Sequence, residues 1–310
     1  MSINLLTSAF ESIRNGTDWS LQLLRITTSK REGTKYASRQ IALEPEGRLD
    51  DFVHHIAERY LGVDKGSLLK RTSVVEYDGT TDAMTVYKLQ NNHTLIAAEY
   101  ADFVRAISAP DVEADSMTFT SAYVIKGATI VGDEEISVKL VSMQNPITTL
   151  KHKFSLCRDG GKFKELDEKV LNLRPTLDII VIGDTVYFLT MNGENLFNME
   201  RAYKAVCYSA IATVEATRLI NDIETFKHVA GSGHNPRRFV SFNNERLEAL
   251  KNSKTRRAMA RQFNIPLDAE GNFDATVDGA AERIVKMLCN KGMVDPFKKA
   301  PVEVLGAKPW

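Results

Sequence analysis

No apolar run in the 310 residues approaches the roughly 18 to 20 needed to cross a bilayer as a helix. The opening stretch "MSINLLTSAFESIRNG" lacks a basic segment leading into an apolar core, so no secretory signal is expected. Cysteine is scarce: Cys157, Cys207 and Cys289 are far apart and odd in number. That fits reduced, buried thiols in a soluble cytoplasmic protein better than a disulfide framework. A net charge is missing as well, with 40 Lys and Arg against 40 Asp and Glu. Catalytic signatures are absent too. There is no Gly-rich phosphate loop before Lys-Ser/Thr, no G-x-G-x-x-G, no H-E-x-x-H and no G-x-S-x-G. No catalytic residue, metal site or cofactor is therefore assigned, and no repeat, heptad run or low-complexity tract is found.

What is present reads as an α+β chain. It has a mixed N-terminal part, a β-rich middle sheet packed on a long helix, and a helical C-terminal part. "DWSLQLLRITTSK" and "TKYASRQIAL" alternate as strands joined through Gly33, which supplies a positive φ. "RLDDFVHHIAERYLG" places Leu49, Phe52, Val53, Ile56 and Tyr60 on one helical face, with Gly62 as a stop. Strands over "SLLKRTSVVEYDG" and "MTVYKLQ" precede a helix in "HTLIAAEYADFVRAIS". The acidic stretch "APDVEADS" marks a boundary near residue 112, giving an N-terminal mixed domain over 1–112 and a second domain over 113–310.

In that second domain "SMTFTSAYVIKG", "EISVKLVSM" and "LKHKFSLCR" read as strands. "LDIIVIGDTVYFLTM" reads as a hairpin turning at Gly183-Asp184. The next segment, "NMERAYKAVCYSAIATVEATRLI", predicts a long helix whose apolar and small residues nearly surround it, which suggests burial. "GSGHNP" is read as a flexible linker. Short helices follow in "NNERLEALKN", "SKTRRAMARQF" and "VDGAAERIVKMLCNK", the second ended by Ile265-Pro266.

Neutrality conceals two poles. Residues Asn91 to Leu150 carry eight acids against three bases, whereas Arg237 to Arg261 carry eight bases against two acids. Within the second pole, "KNSKTRRAMARQF" holds five cations and no anion. A solvated helix face usually interleaves acids at i, i+4, as Glu282 and Lys286 do further on. Here only Glu248 precedes Lys251, and Arg257 and Arg261 repel one another. With Ser253 or Thr255 as cap, Lys254, Arg256 and Arg257 crowd the positive end of the helix dipole. A phosphate bound there would reverse both penalties. The candidate phosphate-binding residues are therefore Arg237, Arg238, Lys251, Lys254, Arg256, Arg257 and Arg261. No aromatic residue interleaves the cations inside that segment, so contact through the phosphate backbone, blind to sequence, is the simpler expectation. Replacing Arg256, Arg257 and Arg261 by Glu is expected to remove binding and leave folding intact.

Weaker constellations are a helical His54–Glu58 pair, Cys157 near His152, and Asp111 with Asp167-Glu168-Lys169 in the manner of a metal nuclease. The first is read as a solvated helix face, and the last lacks the adjacent strands that such a site needs.

The hairpin "DIIVIGDTVYFLT", the link "NGENLFNME", the long helix, the basic segment and the close "AERIVKMLCNKGMVDPFKKAPVEV" together resemble the KwaB component of the Kiwa anti-phage defence system, over residues 116 to 305. The resemblance implies a cytosolic, oligomeric effector that binds DNA and works with a membrane-embedded KwaA-like partner, which would recruit it to the inner membrane. It supplies no catalytic motif. Pairing of two copies, a dimer being favoured, would double the basic surface. The alternatives are a metal-dependent nuclease or nucleotide-processing enzyme, and a self-associating scaffold that joins the basic pole of one copy to the acidic pole of another.

Overall fold

The computed structural model of the chain describes residues 2–16, 19–29, 33–43, 47–62, 69, 73–80, 85–110, 120–131, 134–149, 156–159, 162–165, 169–289, 292–294 and 301–303. Its first elements are α1 (Ser2–Arg14), β1 (Ser20–Ser29), β2 (Gly33–Ile41), α2 (Arg48–Leu61), β3 (Ser73–Glu76), β4 (Thr85–Gln90) and α3 (Ala97–Ser108). The strands β5 (Ala122–Val131), β6 (Glu134–Ser142), β7 (Ile147–Thr149), β8 (Leu156–Asp159), β9 (Lys162–Glu165), β10 (Lys169–Leu171), β11 (Ile179–Ile182) and β12 (Thr185–Phe188) follow. The remainder is α4 (Met199–Thr217), α5 (Ile223–Ala230), α6 (Asn235–Arg238), α7 (Asn244–Leu250), α8 (Ser253–Gln262), α9 (Ala280–Leu288), β13 (Gly292–Val294) and β14 (Pro301–Glu303). The chain is α+β, as its sequence indicates. It forms two compact units: Met1–Glu76 with Ala83–Asn198, and Tyr77–Asp82 with Met199–Trp310.

The first unit is built on an eight-stranded sheet of order β2-β1-β5-β6-β11-β12-β4-β3. All of its pairs are antiparallel except β3 with β4. Side chains alternate across this sheet, so one register row carries Ile125, Leu140, Ile180 and Tyr187 to a single face. That row packs with Leu6, Phe10 and Ile13 of α1 and with Val53, Ile56 and Tyr60 of α2. On the opposite face Phe188 meets Phe197 edge to face, and Phe197 meets Tyr100 and Phe103 of α3. A sheet covered on both sides leaves no polar face, which explains why β11 reads as an unbroken Ile-Ile-Val-Ile.

Local signals behave as the sequence indicates. Gly183, at φ 55°, joins Ile182 to its partner Thr185 in a two-residue hairpin turn. Gly62, at φ 74°, ends α2 by donating its N–H to the Glu58 carbonyl. Where α3 ends, the Ile107 carbonyl accepts from Gln22 Nε2 and from Lys126 Nζ, both at 2.9 Å. The ammonium there faces the negative end of the helix dipole.

The division expected near residue 112 falls between α3 and β5, within the first unit. β5 pairs with β1 on one side and with β6 on the other, so the backbone ladder runs across that point. Acidic linker composition is a local property and carries no information about strand order. The strand expected over "LKHKFSLCR" is described only as Leu156–Asp159; its remainder, and the acidic stretch 111–119, lie outside the described residues.

The second unit has its own core, in which Cys207 and Val214 of α4 meet Phe226, Phe239, Phe263 and Ile284. Helix α4 is buried along one stripe, including Tyr203, Cys207, Ala210 and Val214, and not nearly all round. Small residues on a helix allow burial without requiring it. "GSGHNP" is not a flexible linker: Asn235 begins α6, is 6% exposed, and donates to the Val229 carbonyl at 2.9 Å and to Glu282 Oε2 at 2.7 Å.

Tyr60 supports the first core through polar contacts. Its hydroxyl donates to the Leu177 carbonyl at 3.1 Å and accepts from the Leu177 N–H at 2.8 Å. Tyr60→Phe strands both backbone groups in a buried setting, so urea unfolding of the variant should show a loss of about 1–3 kcal/mol.

Candidate functional site

Helix α8 is cut in two by its period. Arg256, Met259, Ala260 and Phe263 recur at i, i+3, i+4 and i+7 and form the inner face, on which Ala260 and Phe263 are buried. Lys254, Arg257 and Arg261 recur at i, i+3 and i+7 on the outer face, and all three are exposed. The seven-residue span from Lys254 to Arg261 covers roughly 10 Å of helix axis.

The N-terminal cap of the helix differs from expectation. Asn252 is the N-cap, not Ser253 or Thr255: its Oδ1 accepts from the N–H groups of Lys254 at 2.9 Å and Thr255 at 3.3 Å. Those donors are therefore already used, and the side of the helix, not its tip, is what faces outward with free charge. The C-terminus closes before Pro266. Asn264 takes φ 52°, the Ile265 N–H reaches back to the Ala260 carbonyl at 2.8 Å, and the Asn264 N–H reaches the Arg261 carbonyl at 3.3 Å. That is a Schellman closure, with Asn in the left-handed position.

The seven candidate cations separate into three kinds. Arg256 points inward, and its Nε donates to the Gly271 carbonyl at 2.7 Å while a terminal nitrogen donates to the Leu250 carbonyl at 3.1 Å. Arg237 donates through Nε to the Gly79 carbonyl at 2.8 Å and through a terminal nitrogen to the Tyr77 hydroxyl at 2.9 Å. Its guanidinium lies 5.4 Å from the Tyr203 ring centre and 5.9 Å from that of Tyr77. Gly79, at φ 79°, gives the close approach, because a Cβ there would collide with the Arg237 carbonyl oxygen. Arg238 pairs with Glu282 at 2.7 Å, donates to Asn235 Oδ1, and is 19% exposed. These three arginines hold their own unit together.

Lys251 is intermediate: it pairs with Glu248 at 2.7 Å, but both side chains are more than half exposed, so the pair contributes little. The side chains of Lys254, Arg257 and Arg261 have no hydrogen-bond or ion-pair partner among the described residues. The structure thus brings three of the seven onto one exposed stripe, with Lys251 just before it. Arg246 of α7, outside the candidate set, is also exposed and without a partner among the described residues. Glu245 and Glu248 on either side of it hide it from a reading of local charge.

The remaining constellations divide between described and undescribed residues. His54 Nε2 lies 3.1 Å from Glu58 Oε1 on an exposed helix face. Among the described residues no group of three or more His, Cys, Asp or Glu is placed to hold a metal ion. The side chains of His152, Cys157, Asp111, Asp167, Glu168 and Lys169 lie outside the described residues. Cys207 is buried, and burial pushes its thiol up to about 11, away from reactive thiolate.

Residues 131–294, more than half of the chain, match the family model described as Kiwa protein KwaB-like. The match takes in β6 and every helix from α4 to α9, and so the whole basic stripe. No curated protein and no solved structure matches the chain.

The inward and outward cations should separate in stability measurements. Arg256→Ala removes a donor from two backbone carbonyls and should cost about 1–3 kcal/mol in urea unfolding. Ala at Lys254, Arg257 or Arg261 should change stability by no more than about 0.5 kcal/mol. An Arg256→Glu change is consequently unsuitable as a binding test, since its effect on folding would be confounded with any effect on a ligand.

Proposed function

The chain belongs to the KwaB-like family of the Kiwa anti-phage defence system, and on that basis we propose that it acts by gripping the phosphate backbone of DNA with the outer face of α8. The carrying observation is the stripe of Lys254, Arg257 and Arg261, exposed on one side of a well-capped helix and left without anions by the described residues. Cations held apart from acids repel one another, so the free protein keeps a local cost that an external polyanion removes. Guanidinium groups fork onto phosphate oxygens, and a helix side carries them at intervals that follow one strand's backbone.

On this reading Lys251 joins the contact by exchanging Glu248 for phosphate, an exchange that costs little at an exposed pair. Arg237, Arg238 and Arg256 keep the helices in place and touch no nucleic acid. The contact is blind to base sequence, because phosphates carry no sequence information. Among the described residues no helix is long and apolar enough to cross a membrane. Attachment to the membrane is accordingly assigned to a KwaA-type partner, and self-association of the chain would add a second stripe to the same DNA.

Duplex binding followed by fluorescence anisotropy tests this reading. With about four phosphates engaged per copy, log K should fall with log salt at a slope of about −3.6. The variant K254E/R257E/R261E should fold normally and lose binding. A folded triple variant that binds DNA as the native chain does would remove the stripe from the account.

A further inference from the structure

We propose that the cleft between the end of α1 and the overhanging end of β5 binds a small polyhydroxylated amine, the chemistry of an amino sugar. It offers that ligand the indole N–H of Trp19, two free hydroxyls and the Glu135 carboxylate. The cleft holds about 620 Å³, within the usual range of small-molecule sites. Ser12, Asn15 and Gly16 form one wall, and Thr129 and Ile130 stand on the other, with Glu135 the cross-strand partner of Ile130. The space exists because β1 begins at Ser20, opposite Lys126, whereas β5 runs on past that point to Val131.

Trp19 is the residue that points to a ligand. It is 8% exposed, and its Nε1 is buried without a hydrogen-bond partner. A buried indole N–H ordinarily finds an acceptor, and leaving it bare is costly. The ring has no room to turn and find one. A Cβ on Gly127 would stand 2.5 Å from its Cε3, and a Cβ on Gly16 3.0 Å from its Cζ2, so the indole is wedged between two stretches of backbone. The same Cβ on Gly16 would lie 3.3 Å from Nε1. The absent side chain of Gly16 thus leaves a notch in the cleft wall, where a ligand oxygen would meet the unused donor.

The rest of the lining selects the ligand. Thr129 is 6% exposed, and neither its hydroxyl nor that of Ser12 has a partner among the described residues. Asn15 donates through Nδ2 to the Glu11 carbonyl at 3.2 Å, which leaves its Oδ1 to accept. Such groups suit a molecule with several hydroxyl or ether oxygens, which both donates and accepts. Ile130 is exposed and gives the ligand an apolar surface to lie on. Glu135 is exposed, lacks a cation among the described residues, and is the one charged side chain in the described lining. A lone carboxylate favours an ammonium and repels phosphates and carboxylates, so this ligand differs in class from nucleic acid. Of the lining residues only Glu135 falls within the stretch that matches the family model, and the proposal does not rest on the contact made by α8.

Glucosamine, glucose and gluconate test the proposal on one carbon skeleton, at matched ionic strength and in mildly acidic buffer that keeps the amine protonated. The chain has two tryptophans, so Trp310→Phe identifies which indole N–H resonance belongs to Trp19. That resonance should move downfield and saturate with glucosamine, respond to glucose with about two- to fivefold weaker affinity, and stay in place with gluconate. E135Q, at an exposed position, should lower glucosamine to the affinity of glucose. T129V should weaken both sugars by about three- to tenfold. Gly16→Ala should fill the notch and abolish the shift, with an unchanged circular dichroism spectrum. A Trp19 resonance that none of the probes moves would overturn the proposal. So would gluconate binding as well as glucosamine, or a preference for glucosamine that survives E135Q.

Discussion

A guanidinium can lie on the inner face of a helix only if carbonyls or carboxylates meet it there, because a half-buried charge without partners is expensive. Arg256 satisfies that condition with the Gly271 and Leu250 carbonyls, and so fixes which way α8 faces. Once this residue is turned inward, the helical period turns Lys254, Arg257 and Arg261 outward. The Asn252 cap and the Asn264 closure hold both ends of the helix, so the outward charges sit on a firm support. The exposed stripe is thus a consequence of the packed one.

The same division of labour recurs at Arg237 and Arg238. Arg237 holds the Tyr77–Gly79 stretch against Tyr203, although its partner Gly79 is 158 residues away in the sequence. Arg238 meets Glu282, 44 residues away. Three of seven cations in a conspicuously basic region are therefore structural, and charge density alone overstates the size of a phosphate-binding surface. On the proposed reading, what marks a binding cation is exposure without a partner.

This difference sets how much could be read from the sequence. Gly62 as a stop, the Gly183-Asp184 hairpin and the amphipathic face of α2 depend on residues close in the chain, and each is legible there. The KwaB-like resemblance also rests on the order of such local elements, and the family match bears it out. The cap of α8 was within reach but ambiguous, since Asn252, Ser253 and Thr255 are all competent and lie within three residues of one another. Partners such as Gly79 and Glu282, and the insertion of β5 and β6 between β1 and β11, are long-range facts that no local pattern encodes.

The claim that inward arginines build the unit while outward ones meet the ligand is tested most directly by arginine-directed chemical labelling, read by mass spectrometry with and without duplex DNA. Arg257 and Arg261 should label readily in the free protein and be protected by DNA, while Arg237, Arg238 and Arg256 stay poorly labelled in both conditions. Protection that fell on Arg237 or Arg238, or Arg257 and Arg261 labelling equally well with saturating DNA present, would contradict it.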